Sequence, residues 1–368
     1  MFRLCAIRRF TRLIVLLVFL PGLAHGVLVE DLYRIELKVA DQSTATRLDA
    51  FNEAFRHLLI KISGSDESLQ NPGLKRPLAN SSRYVLQFRY QTRKEPAPNP
   101  DELPIDVLYL TVTFNRDLVE SLLRENSVPL WGRERPSTLI VAHYREPTVA
   151  GVLVSGDTVV DLVDEFDEQA RRKGLPILFP LLDLEDRATI GGAIDLLPDP
   201  ARLDQLAQRY SPDVLLSGLV EMDGADVWQA RWQAGFGDKL FNWSNRADSR
   251  ELLLDQSLSE LARLLASEYA LKVGQVDDQD VLFRVEDVAD VRDNIKVLNY
   301  LQSLDAVEDA MLIRVQGRQA VYRVRLRNSA EALHRLIALG YVLEQLELPQ
   351  IDATQENRQV HLNYRLIR

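Results

Sequence analysis

The sequence predicts an α/β and α+β chain of three small mixed domains: an N-terminal α+β domain (27–135), an α/β domain (136–275) and a ferredoxin-like βαββαβ domain (279–368). Three observations predict it. Strand-like and helix-like apolar periods alternate along the chain. A stretch with a proline at each end, "PLWGRERP" (129–136), separates the first block from the second. The last block then orders its elements as a split βαβ unit does.

Ahead of the first block stands an expected signal peptide (1–26). Arg3, Arg8, Arg9 and Arg12 precede the apolar run "LIVLLVFL" (13–20), Pro21 and Gly22 break it, and Ala24 and Gly26 are small residues placed for cleavage after Gly26. The run is shorter than the roughly 20 residues a stable membrane-spanning helix needs. The chain is therefore expected to be periplasmic, the alternative being an inner-membrane anchor made by the uncleaved signal. No later stretch is apolar enough to span. The only cysteine, Cys5, falls inside this signal, so the exported chain has no disulfide, thiolate metal site or cysteine nucleophile.

Without the four signal arginines, 40 basic residues face 54 acidic ones, a net charge of −14. That balance repels phosphate backbones, and no basic stripe with interleaved aromatics offsets it. Nucleic acid is not expected as a partner.

In the first block "LYRIELKV" (32–39) alternates as a half-buried strand. Ser43 and Thr44 can cap a helix on which Phe51, Phe55, Leu58 and Ile62 share a face. "RYVLQFRY" (83–90) and "IDVLYLTVTF" (105–114) follow as strands, then the helix "RDLVESLLREN" (116–126). The second block predicts a βαβαβ-type parallel sheet extended by a hairpin. Its strands are "TLIVAHY" (138–144), "PILFP" (176–180) and "DVLLSGLVEM" (213–222). Thr158 and Asp161 suggest a capping box, Asp199-Pro200 a second helix start, and Gly237-Asp238 the hairpin turn. A long amphipathic helix (249–271) closes it. In the third block the final strand comes from "YVLEQLEL" or "VHLNYRLI". RNA-recognition domains share this order, but their stacking aromatics are missing here.

No GxSxG, Walker, GxGxxG or HExxH motif occurs. These absences weigh against an enzyme, and no cofactor is expected. Two candidate sites remain. In open α/β sheets ligands collect beyond the carboxyl ends of the strands. There the second block offers His143, then Asp183, Glu185 and Asp186 of "FPLLDLEDR", then Glu221 and Asp223. Such a set suits a hard cation or an acid/base pair, and makes a cation-binding protein or metal-assisted hydrolase one alternative. Arg145 and Arg187 stand close enough in sequence to neutralise it. The second candidate is a face of rings: Trp228 and Trp232 on one strand, Trp243 on its partner, which suit a glycan or, more commonly, a core.

On "VEDLYRIELKVADQS", "RLDAFNEAFRHLLIKISG", "RYVLQFRY", "VPLWGRERP" and "FPLLDLEDR", the chain resembles the exported proteobacterial proteins of the domain of unknown function 2066 family, from about 29 to 270. That resemblance implies an envelope protein and supplies no catalytic residue. The leading expectation is a non-enzymatic binding or assembly module that contacts another envelope protein.

Overall fold

A computed structural model describes residues 27–97, 102–147, 149–190, 199–223, 226–271, 280–346 and 361–367. The expected signal peptide lies outside the described residues. In the first block, β1 (Val27–Leu28), β2 (Arg34–Lys38), α1 (Thr44–Ser63), the short α2 (Lys75–Ala79), β3 (Val85–Glu95), β4 (Ile105–Phe114) and α3 (Arg116–Glu125) follow in order. Their sheet has the order β2-β4-β3 and is antiparallel throughout. The Ser43 hydroxyl accepts from the Thr46 N–H at 3.2 Å, and α1 ends where Gly64 turns left-handed at φ +75. The face carrying Phe51, Phe55, Leu58 and Ile62 is buried, with Phe55 stacked on Tyr84 at 4.8 Å.

β5 (Glu134–Arg135) ends the first block, and the second contains β6 (Thr138–Glu146), β7 (Val149–Leu153), α4 (Val160–Lys173), β8 (Ile177–Leu178), α5 (Leu184–Ile190), α6 (Pro200–Tyr210), β9 (Val214–Met222), β10 (Trp228–Phe236), β11 (Lys239–Ala247) and α7 (Arg250–Tyr269). β5 pairs back to β1 in a two-stranded ribbon. The main sheet has the order β11-β10-β9-β6-β7, with β8 also on β6. β6 is parallel to both β8 and β9, and β10 turns into β11 at Gly237, φ +55. One face packs on α4 and α7 through Ile140, Phe166, Trp232 and Leu258; the other carries Leu139 and Val141 against Ile190 of α5 and Leu206 of α6. Asp199 caps α6 as expected, accepting from the Arg202 N–H at 3.1 Å. The expected capping box does not form. Thr158 turns its hydroxyl back to the Leu153 carbonyl at 2.7 Å, and α4 starts from Val159 without a side-chain cap.

The third block consists of β12 (Val281–Glu286), α8 (Val291–Ser303), β13 (Val307–Gln316), β14 (Gln319–Leu326), α9 (Ala330–Ala338), β15 (Leu343–Gln345) and β16 (His361–Leu366). The order β13-β14-β12-β16-β15 is ferredoxin-like with one insertion. Both segments considered for the last strand form strands, and β16 wedges between β12 and β15, parallel to β12.

"PLWGRERP" is more than a spacer. Trp131 is fully buried and its backbone N–H donates to the Ile62 carbonyl at 2.7 Å. The Arg135 guanidinium, also fully buried, sits 3.9 Å from the Trp131 ring centroid. It donates to the carbonyls of Lys61 (2.8 Å), Lys173 (2.9 Å) and Gly174 (3.3 Å). Those carbonyls end α1 and α4, so one cation answers the unpaired acceptors and negative dipole ends of two helices. Burial depresses this guanidinium, but arginine stays charged at neutral pH.

Candidate functional site

The acidic stretch folds around an arginine that sequence spacing had not singled out. Asp183 opens α5: its carboxylate accepts from the N–H groups of Glu185 and Asp186 at 3.1 and 3.0 Å. Arg209, from α6, donates to the same carboxylate at 2.8 and 2.6 Å and also binds Asp186. This guanidinium holds the Asp183 carboxyl well below the usual carboxylate range. Asp186 is fully buried and accepts further from the Leu182 N–H (2.9 Å) and the Tyr210 hydroxyl (2.6 Å). Glu185 stays outside, 3.6 Å from the Arg209 Nε.

Of the two neutralising partners expected from sequence, Arg145 reaches a carboxylate of the candidate set and Arg187 does not. Arg187 donates to the Leu182 carbonyl at 2.6 Å, and Arg145 pairs with Glu221. Leu182 holds a left-handed backbone, φ +51, which costs a non-glycine residue about 1 kcal/mol. Asp186 and Arg187 satisfy its N–H and its carbonyl, so the charged stretch holds a strained turn in place. The stretch therefore has a complete structural task.

His143 is buried in β6, opposite Leu153 on β7 and Leu219 on β9. β8 runs beside β6 only at Thr138 and Leu139; past that level β7 takes the edge, so the chain leaving β8 is turned aside. Among the described residues no three His, Cys, Asp or Glu side chains stand where they could hold a metal ion.

The ring face is divided. Trp232 is core, edge-on to Phe166 at 6.1 Å and over Gly218. Trp228 stacks on Tyr144 at 6.0 Å beneath Arg250. Trp243 pairs across the strands with Trp232 and reaches the rim, where it lines a cleft of about 420 Å³ between the end of α1 and α7. Asn245, Gln256, Ser259 and the ion pairs Lys173–Asp255 and Arg263–Glu260 give that cleft a polar lining.

A third cluster lies where the three blocks meet. Asp305, which precedes β13, accepts from Arg116 at 2.5 Å and from the Arg133 N–H at 2.8 Å. Gly132 allows that approach, since a Cβ there would fall 1.9 Å from the Asp305 carboxylate. Arg116 also binds Glu120, which accepts the Tyr33 hydroxyl at 2.8 Å, and Arg327 of the third block stands 3.8 Å from Glu120. Glu134 is 6% exposed, and no side chain of another residue donates a hydrogen bond to its buried oxygens. Burial, then the charge of Asp305, pushes its carboxyl up to about 7.

Residues 27–132 match the family model described as "Domain of unknown function (DUF8605)". This corrects the expected likeness to the domain of unknown function 2066 family. Three of the five stretches behind that expectation lie within 27–132, "VPLWGRERP" crosses its end and "FPLLDLEDR" lies beyond it, so they do not define one matched unit. No curated protein matches the chain. Among solved structures it is similar to the Thermus thermophilus Protein Y N-terminal domain: 8% identity, 35% of this chain, 93% of that one, TM-score 0.18. It is also similar to lipoprotein GNA1162 from Neisseria meningitidis: 18% identity, 36% of this chain, 98% of that one, TM-score 0.22. Likenesses of this size carry no argument about function.

Arg209, Tyr210, Glu134 and Asp305 were missed from sequence. For Arg209 a signal existed: it lies in the last turn of the helix that Asp199-Pro200 announces. Asp305 and Glu134 meet only through the docking of two blocks, which no local pattern encodes.

Proposed function

We propose that the chain is a periplasmic envelope protein that catalyses no reaction and binds an extended segment of another envelope protein along the edge of its third sheet. The carrying observation is β13. It is the edge strand, and Met311, Leu312, Ile313 and Val315 on it are 41–49% exposed. A register shift between Leu312 and Arg314 breaks the alternation, which leaves successive apolar side chains exposed. Exposed apolar residues on an unpaired edge form a template for strand addition. The amino-terminal arginines and apolar run support export, and the described residues hold no helix long and apolar enough to cross a membrane. The saturated carboxylates of Asp183 and Asp186 support a non-enzymatic reading. A photo-crosslinker at Ile313 in intact cells is expected to give one discrete adduct that Leu312→Asp removes without lowering the melting temperature. No adduct, or turnover of a periplasmic substrate lost in Asp183→Asn, would overturn the proposal.

The cleft beside Trp243 favours a second reading, an oligosaccharide held by one ring and a polar lining. Quenching of tryptophan emission by an oligosaccharide, lost in Trp243→Leu, is its measurement.

A further inference from the structure

Glu134 and Tyr300 face a small cavity of about 70 Å³ between β5 and the third block, walled by Leu336, Leu339 and Val342. Tyr341, half exposed, also lines it. The unpaired groups of the cavity are a carboxylate and a phenol hydroxyl. Both Glu134 oxygens and the Tyr300 hydroxyl are buried without a hydrogen-bond partner. The neighbouring Ser303 hydroxyl is committed to the Tyr300 carbonyl at 2.7 Å. The charged groups around Glu134 do not fill the need. Arg116 is bound to Glu120 and Asp305 and Arg135 to backbone carbonyls; Arg133 gives its Nη2 to the Ser303 carbonyl at 3.2 Å, and although its charge acts on Glu134, its buried Nε makes no hydrogen bond to the carboxylate. Asp305 adds a second negative charge. A buried anion without donors is costly, and unpaired groups of this kind call for a ligand or ordered water.

We propose that this cavity binds a primary ammonium group on an alkyl chain. Such a group carries three donors, no acceptor and one positive charge, matching three acceptors that lack donors. Water brings donors but no charge. The volume exceeds the roughly 10–15 Å³ that one water needs and admits an ammonium with its first methylenes, which would lie against Leu336, Leu339 and Val342. The aromatic faces of Tyr300 and Tyr341 also favour a cation. Protonation of Glu134 as pH falls removes the anion, so the site is open to a cation only above the point where Glu134 ionises. The source is either a free alkylamine or a lysine side chain of another protein.

The test is saturation-transfer NMR on the full chain with n-butylammonium chloride, against 1-butanol and equal sodium chloride. Butylammonium is expected to bind at pH 8 and to weaken about tenfold per unit as pH falls below 7. It is expected to bind at least tenfold more weakly to Glu134→Gln and measurably more weakly to Tyr300→Phe. Displacement by N-acetyl-Gly-Lys-Gly amide but not by its ε-acetylated form supports the site and assigns the group to a lysine. Binding that the peptide does not displace supports the site and assigns it to a free amine. No binding at pH 8 means ordered water only and overturns the proposal. So does equal binding of 1-butanol, or unchanged binding to a Glu134→Gln chain whose melting temperature shows it folded.

Discussion

The acidic stretch of α5 and the acidic junction at Glu134 and Asp305 are built from the same residue types and behave in opposite ways. In the stretch, Asp183 and Asp186 accept from Arg209, Tyr210 and three backbone N–H groups. At the junction no side chain of another residue donates to Glu134, which faces another carboxylate. Carboxylates clustered in sequence are therefore a poor guide to reactivity. The count of donors around each oxygen decides, and the cluster that looked chemical is the satisfied one.

The comparison is broken most forcefully at Arg209. Arg209→Leu leaves the fully buried Asp186 and its neighbour Asp183 without a cation. Removing one partner of a buried ion pair costs about 3 kcal/mol, so the urea midpoint is expected to fall sharply. Arg209→Leu with Asp186→Asn should recover part of that loss. A single variant of wild-type stability would show that the cation is dispensable.

Glu134→Gln is expected to move stability the other way. Glu134 titrates near 7 in the folded chain, above the ordinary carboxyl value of 4.5. Its favourable contribution is full below about pH 4.5 and is lost as pH rises through 7. The glutamine variant lacks that loss and is expected to exceed the wild type by about 2 kcal/mol at pH 8, with little difference at pH 4.5. Melting curves by circular dichroism at the two pH values check it; parallel pH profiles would contradict an unsatisfied Glu134.

Lys61 gives a smaller effect of opposite pH dependence. Burial, then the charge of Arg135, lowers its ammonium to about 8 from an ordinary 10.5. That depressed group contributes stability above 10.5 that is lost as pH falls through 8. Lys61→Met forgoes the 3.2 Å bond to the Asp31 carbonyl but relieves a charged, buried amine. It is expected to stabilise by about 1 kcal/mol at pH 7 and by less at pH 9.5, read from the same melts.

How far the sequence could be read follows the range of the interactions. α1 and its core face, the Asp199-Pro200 start and the turn at Gly237 are local, and their spacing predicted them. β7 was not legible: five residues sit beside β6 where β8 was expected to continue, and neighbouring strands rather than propensity choose the edge. β1 and β5 are two residues each and exist only because the chain returns to pair them. Of the site residues, Trp232 is a buried ring and Asp183 stands at the start of α5. The partner of Asp183 lies 26 positions away on another helix, beyond any window that a capping or i,i+4 pattern inspects. Glu134 read as one charge among several in "RER", although it is nearly fully buried.

The least effect is expected at Asp183 itself, and it is the most discriminating. Asp183→Asn retains a side-chain oxygen able to accept from the Glu185 and Asp186 N–H groups, as asparagine caps helices about as well as aspartate. It gives up the charge of a pair whose carboxylate side chain is 43% exposed, where screening by water leaves little to lose. Arg209 keeps Asp186, so no buried anion is orphaned. The expected shift of the urea midpoint is the smallest of these variants, with crosslinking at Ile313 unchanged. A larger loss would mean that the turn at Leu182 depends on the Asp183 charge. The sequence made Asp183 the most prominent acid of the chain; its environment makes it the one that can be neutralised at least cost.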